Sequence, residues 1–286
     1  MSNNSDELKR NKEELTDEIN NNSEESLLNN LSPIAKLILP FIIIGLIVEI
    51  LAFIGIFNPI LFPPPSKIFF AFIKLIFGSY PSLIDHILRS LVRIVVGYVI
   101  GVSLGIIIGI LMGLNKTFYQ AVNPIIAMLI SIPTLAWVPL LLIIVGLGDE
   151  TVIIAIALAC IFPQIYSTLN GIRGTNKQLV WAAEIMGAGR LQIFLQVLIP
   201  SALVSILTGM RLAVGYSWRA VVGAEMLATI ETGIGQMIYA ARWGFNVDIM
   251  FAGLVVIALG GLLMDRILMI PLEERTIKRW GMVKSK

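Results

Sequence analysis

The chain has 286 residues, of which 57% are hydrophobic and only 14% charged, and its formal net charge is +2. A soluble globular domain is nearer half apolar and a quarter charged, so this composition places the chain in a membrane. The small net charge gives no basis for nucleic-acid binding, and a lone cysteine, Cys160, excludes an internal disulfide and any cysteine-based zinc or iron–sulfur site.

Residues 1–32 differ in kind from the rest. Asp6, Glu7, Glu13, Glu14, Asp17, Glu18, Glu24 and Glu25 outnumber Lys9, Arg10 and Lys12, and large apolar residues are almost absent. Such a segment cannot bury enough surface to offset its ordering entropy, and it is expected to be a disordered acidic tail. It lacks the basic start and apolar stretch of a signal peptide, so no cleavage is expected.

Six apolar segments follow, at 34–57, 88–114, 121–145, 151–169, 201–226 and 248–270. Each is near the roughly 20 residues a helix needs to cross about 30 Å of hydrocarbon. The expectation is an all-α polytopic membrane protein with six transmembrane helices over 33–272, followed by a basic tail at 273–286. Between the first two segments, the prolines at 63–65 cannot be helix interior, and the short apolar run at 68–77 reads as an amphipathic helix at the interface. The fifth and sixth segments are joined by a stretch whose glycines, Tyr239 and Trp243 suit the membrane–water boundary.

The second segment carries Gly97, Gly101, Gly105, Gly109 and Gly113, one every four residues. That spacing keeps all five on one slowly drifting helical stripe and lets another backbone approach closely in lipid, either within the chain or in a second subunit. Cys160, in the middle of an apolar run, reads as a small bundle residue.

Lys and Arg in short loops set the orientation. With the N-terminus inside, Lys9, Arg10, Lys12, Lys36, Lys116, Arg173, Lys177, Arg190, Arg266 and the basic C-terminus fall on the inner side. Lys67, Lys74, Arg89, Arg93 and Arg242 fall on the outer side. The bias of roughly three to one predicts a multi-pass protein of the cell membrane with both termini cytoplasmic.

Ionisable groups within the spans are functional candidates, since their burial in hydrocarbon is costly. Arg211 lies about ten residues into the fifth span, and Arg219 is eight further on. That is roughly 12 Å along the helix and about 80° around it. Glu225 closes the span, and Glu49 lies late in the first. Arg219 either lines a solute path and draws an anion, or snorkels to the interface or pairs with Glu225 or Glu49. Arg211 either lines that path or braces neighbouring helices.

The chain lacks the pattern G-x-x-x-x-G-K-[ST] needed for an ATP-binding P-loop. Gly215-Tyr216-Ser217 begins like a nucleophile elbow, but Trp218 takes the next glycine position, and the sole histidine, His86, lies on the other membrane face. A serine–histidine enzyme is therefore not expected. No cluster has metal-ligand spacing, and neither a metal nor a cofactor is expected.

The stretch 181–200, WAAEIMGAGRLQIFLQVLIP, is neither a span nor a simple hairpin, and the charge bias places it in the cytoplasm. It reads as two short helices broken at Gly187-Ala188-Gly189, with a new helix beginning at Pro200. Trp181-Ala182-Ala183, then Gly187, then Val197-Leu198-Ile199-Pro200 resembles the coupling loop of ABC importer membrane subunits, which reads E-A-A, three residues, G, nine residues, I-x-L-P. The likeness extends over about 33–272. Residues 61–68, 209–227 and 248–268 look like the nitrate/sulfonate/taurine branch. One departure is that Trp181 stands where the family usually has glutamate. Glu184 either replaces that carboxylate, or Trp181 fills a partner's groove as an aromatic anchor.

The resemblance implies the type I ABC importer permease fold and no enzymatic activity in this chain. It implies a homodimer in which Trp181, Ala182, Ala183, Glu184, Gly187, Gly189 and Pro200 couple to two copies of a separate ATPase subunit. An extracellular solute-binding protein would deliver a small solute, such as a sulfonate, taurine, nitrate or bicarbonate, to a path for which the charged residues Arg219, Arg211 and Glu225 are the candidates. An ion-coupled secondary transporter is the alternative; it would use intramembrane carboxylates and need no ATPase, but no repeat of two halves is evident.

Overall fold

The computed structural model describes residues 33–56, 58, 60–78, 81–229, 231–264 and 266, without the side chains of 33–38 and 41. The acidic tail at 1–32, the basic tail at 273–286 and the expected end of the sixth span therefore lie outside the described residues. All regular structure among those described is helical.

The chain divides into two units, Met1–Lys67 and Ile68–Lys286. The first holds helix α1 (Pro33–Phe53) and the start of α2 (Pro65–Phe77). Pro65 opens α2, because proline costs nothing at a first helical turn. The membrane-depth carboxylate Glu49 caps that start. Its two oxygens accept from the Ser66 backbone N–H at 3.1 Å and from Ser66 Oγ at 2.7 Å. Glu49 thus finds a helix N-terminus, where its charge is stabilised.

The second unit is built on α3 (Leu83–Leu114) and α6 (Asp149–Arg173), with the helix run that ends in α9 (Ile199–Ala228) packed against α6. The glycine stripe of α3 lies on α6 over its whole length. A Cβ at Gly97 would meet Ile156, at Gly101 Cys160, at Gly105 Gln164, at Gly109 Thr168 and at Gly113 Ile172. The stripe therefore serves contact within the chain. Because both sets of numbers rise together, α3 and α6 run parallel.

A parallel pair requires one crossing between them, and that crossing is broken. Residues 121–145 do not form the single span their apolarity suggests. They belong to α4 (Lys116–Ile130) and α5 (Thr134–Ile144), which meet at 97°. Pro133 is the N-cap of α5, and a proline there both withholds an N–H and bars its predecessor from helical geometry.

α9 runs antiparallel to α6. Gly171 faces Ala202 and Ser205, Gly209 faces Ser167, and Cys160 Sγ donates to the Ala213 carbonyl at 3.4 Å. Two shorter helices complete the unit, α10 (Ile234–Trp243) and α11 (Val247–Leu263). α11 returns antiparallel to α9. Trp218 lies on Gly260 and Gly261, and its indole N–H donates to the Ile257 carbonyl at 2.9 Å. Among the described residues three runs, 83–114, 149–173 and 190–228, are long and apolar enough to cross a membrane, and the bent pair, counted as one span, makes a fourth.

Candidate functional site

Three places in the second unit carry polar or unpartnered chemistry. The first joins α6 to α9. Asn176 caps α7 (Lys177–Ile185) by accepting from the Gln178 N–H at 2.9 Å. α7 ends in a turn in which the Gly187 N–H donates to the Glu184 carbonyl and the Ala188 N–H to the Ala183 carbonyl. This paired closure needs a left-handed residue, and Gly187 supplies it at φ +81°. The short helix α8 (Arg190–Ile193) follows, capped by Gly189.

The two-helix reading of 181–200 matches this geometry up to Gly189, and α9 opens at Ile199 with Pro200 in its first turn, as the proline suggests, although no break precedes it. Helical structure runs on from Arg190 to Ala228, through a π-helical segment at Phe194–Leu198. The Ile199 N–H there reaches back to Phe194. The wider turn has a cause: a proline at 200 clashes with the carbonyl four residues earlier, and opening the helix relieves that clash.

The loop presents an apolar surface. Trp181 is 58% exposed, Ile185 87% and Met186 79%, and Leu191 is also largely uncovered. Ala182, Glu184, Gly187 and Gly189 are exposed, while Ala183 is buried. Trp181 and Glu184 are both at the surface.

The second place is a cleft of about 440 Å³ between α9 and α11, bordered by Arg211, Trp218, Arg219, Ile257, Gly261 and Met264. Arg211 and Arg219 are both exposed there, on the side of α9 that also shows Leu212 and Tyr216. The sequence linked Arg219 with Glu225, but the structure separates them.

Glu225 belongs to the third place, at the opposite end of α9 from the loop. It is fully buried and bonded to three partners: Arg93 Nη1 at 2.7 Å, Ser90 Oγ at 2.7 Å and the Gly235 N–H at 2.9 Å. Arg93, itself 3% exposed, also pairs with Asp149 at 2.6 Å, and Arg89 reaches the other oxygen of Asp149 at 2.5 Å. His86 Nδ1 lies 3.0 Å from the Gly233 N–H. Sequence reasoning placed Arg89 and Arg93 only as outer charges near a helix start. The missed signal is that His86, Ser90 and Arg93 continue the stripe of Gly97 and Gly101 toward the start of α3.

The comparisons with known proteins agree with this architecture. Residues 101–270 match the family described as binding-protein-dependent transport system inner membrane component. The chain is 34% identical to the taurine transport system permease protein of Escherichia coli, covering 75% of this chain and 78% of that one. It is also 34% identical to a putative aliphatic sulfonates transport permease protein of Bacillus subtilis, covering 85% and 86%. A putative ABC transporter permease protein of Methanocaldococcus jannaschii is 35% identical over 84% of this chain and 90% of that one. Among solved structures, the inward-facing MetNI methionine ABC transporter matches with a TM-score of 0.59 at 21% identity. That match covers 71% of this chain and 99% of that one.

The chain belongs to the binding-protein-dependent transport system inner membrane component family, and its fold is that of an ABC importer permease. It is a membrane-spanning transport subunit, and the family implies an ATPase and a solute-binding protein as its partners.

Proposed function

We propose that two copies of this chain, each crossing the membrane six times with both termini in the cytoplasm, enclose a path for a small oxyanion. The observation that carries the coupling is the exposed α7–turn–α8 surface. Trp181, Ile185, Met186 and Leu191 stand out at one end of the two helices that frame the loop. Apolar side chains grouped in this way on a cytoplasmic loop mark a docking face. The occupant is the ATPase, and Trp181 acts as the aromatic anchor while Glu184 supplies the carboxylate the family usually carries at that first position. Closure of two ATPases moves two such loops together and rocks the attached helices, switching access from one side to the other.

The solute reading rests on Arg211 and Arg219 together with the relatives. Two guanidinium groups border one cleft, and guanidinium matches the geometry of sulfonate, nitrate or bicarbonate oxygens. The relatives' names point to the same class, taurine and aliphatic sulfonates among them. Arg219→Gln is expected to lower uptake of taurine or nitrate by about tenfold, the scale of one charge-assisted hydrogen bond. Unchanged uptake at normal protein levels removes Arg219 from the path.

The coupling role is tested at Gly187. Its φ of +81° is strained for a β-branched residue, while nothing lies within 4 Å of the site to clash with a side chain. Gly187→Val is therefore expected to distort the turn without disturbing the spans. ATP hydrolysis should persist in the complex while uptake falls by an order of magnitude or more. Uptake that stays coupled to hydrolysis overturns the lever role.

A further inference from the structure

The end of the molecule opposite the loop is tied together by a device that neither the family nor the proposed path accounts for. Three side chains of α3, His86, Ser90 and Arg93, meet the segment between α9 and α10 group by group. His86 Nδ1 lies 3.0 Å from both the N–H and the carbonyl oxygen of Gly233, and the Ile234 N–H donates to Ser90 Oγ at 3.0 Å. The Gly235 N–H donates to Glu225 at 2.9 Å, and Arg93 Nη1 donates to the Thr232 carbonyl at 2.7 Å. The amides that open a helix have no acceptor within it. Here those of Ile234 and Gly235 find one on other helices, and the buried carboxylate of Glu225 sits at the positive end of α10. Through Asp149, the same guanidinium also holds the first residue of α6.

Most of the remaining α3–α6–α9 packing is of another kind, crossed by single, unconnected hydrogen bonds from Tyr98 to the Met210 carbonyl, Cys160 to Ala213, Gln164 to Ile206 and Arg173 to Met112. From Gly97 to Gly113, α3 meets α6 through glycine and mostly small or aliphatic partners, and α6 meets α9 through Gly171 and Gly209. Smooth contacts of that sort allow packed helices to slide. Directional hydrogen bonds to a buried charge fix geometry far more tightly.

We propose that Arg93, Ser90 and Glu225 are positioning residues for transport. They lock residues 232–235 to the ends of α3, α6 and α9, so that motion imposed at the 177–200 loop reaches the far membrane face as displacement of one body. The distance is about 45 Å along α9 alone, taking 1.5 Å for each of its residues. Sliding at any one of these joints would dissipate the displacement before it arrived.

The test uses the complex of this chain with its ATPase, in lipid vesicles. Glu231, exposed beside the tied segment, is replaced by cysteine as a reporter, and the only native cysteine, Cys160, is fully buried. Labelling by a membrane-impermeant maleimide is timed without nucleotide and after trapping with ATP and vanadate. In the parent the rate should change at least threefold between the two states. Arg93→Lys keeps the charge but loses the planar fork that serves Asp149, Glu225 and Thr232 at once. It should reduce the change below 1.5-fold while the complex still hydrolyses ATP. Should the lysine variant fail to assemble, Ser90→Ala, which leaves every charge in place, is read the same way. A parent whose labelling ignores nucleotide overturns the proposal. So does a variant that assembles, hydrolyses ATP and responds as the parent does.

Discussion

Gly101→Leu should leave almost no folded protein in the membrane. A Cβ at this position would lie 2.5 Å from the Ala157 carbonyl and 2.7 Å from Cys160 Cβ, before the rest of the leucine is placed. Neither neighbour can yield. Ala157 presents backbone, and Cys160 is held from behind by α9, to which its Sγ donates. Overpacking costs about 1–3 kcal/mol where flexible side chains can adjust. A four-carbon side chain against helix backbone exceeds that range, and a few kcal/mol is a large share of a typical total stability. The same substitution at Gly105, Gly109 or Gly113 should act alike, since each meets a Cβ or a methyl of α6 within 3.0 Å. Gly215→Ala is the control. Nothing lies within 4 Å of that glycine, so the change should be neutral or stabilise α9 by up to about 1 kcal/mol. The measurement is the monodisperse yield from detergent extracts, with melting temperature where protein is recovered. Normal yield of Gly101→Leu would mean that α3 and α6 are not in contact along this stripe.

The second large effect is expected from Arg93→Met. The ion pair itself has a modest net worth, because the desolvation of two charges offsets much of their attraction. Removing one partner is another matter. Glu225 is fully buried, and without the guanidinium it keeps only Ser90 and the Gly235 N–H. Stranding a buried charge in this way costs about 3–5 kcal/mol. Asp149 suffers less, since it is partly exposed and retains Arg89. Removing both charges, in Arg93→Met with Glu225→Met, should therefore be milder than Arg93→Met alone. Denaturation midpoints of the parent and the two purified variants decide the point. Equal losses for the single and double variants would mean that Glu225 does not depend on Arg93.

These two sites also show what could be read from the sequence. The glycines stood out because a repeat of four is visible without knowing the partner helix. Their target on α6 was not visible, because the facing positions, Ile156, Cys160, Gln164, Thr168 and Ile172, share no residue type. The polar stripe of His86, Ser90 and Arg93 has helical spacing too, but a histidine, a serine and an arginine do not form a pattern until a shared partner is known. Glu225 and Arg219 lie near each other in sequence, whereas the actual partner of Glu225 is 132 positions away. Local motifs were read better. Gly187 shapes its turn through bonds to residues three and five positions earlier, which is why a short pattern could locate it. Pro200 does stand in the first turn of α9, but the π-helical segment that joins α9 to α8 without a break leaves no pattern in the sequence.

The bend between α4 and α5 has a consequence for how the chain enters the bilayer. The two helices have 15 and 11 residues. At 1.5 Å per residue they reach about 22 Å and 16 Å, and neither alone covers about 30 Å of hydrocarbon. Taken as one straight apolar stretch, they cover it easily. Bent as it is, the chain enters the bilayer here as two half-length helices, and at membrane depth the irregular backbone of their corner is tolerated only against protein or water. The corner residues Ser131, Ile132 and Pro133 are exposed, and two of the amides there are met locally, that of Ser131 by the Met128 carbonyl and that of Ile132 by Leu129.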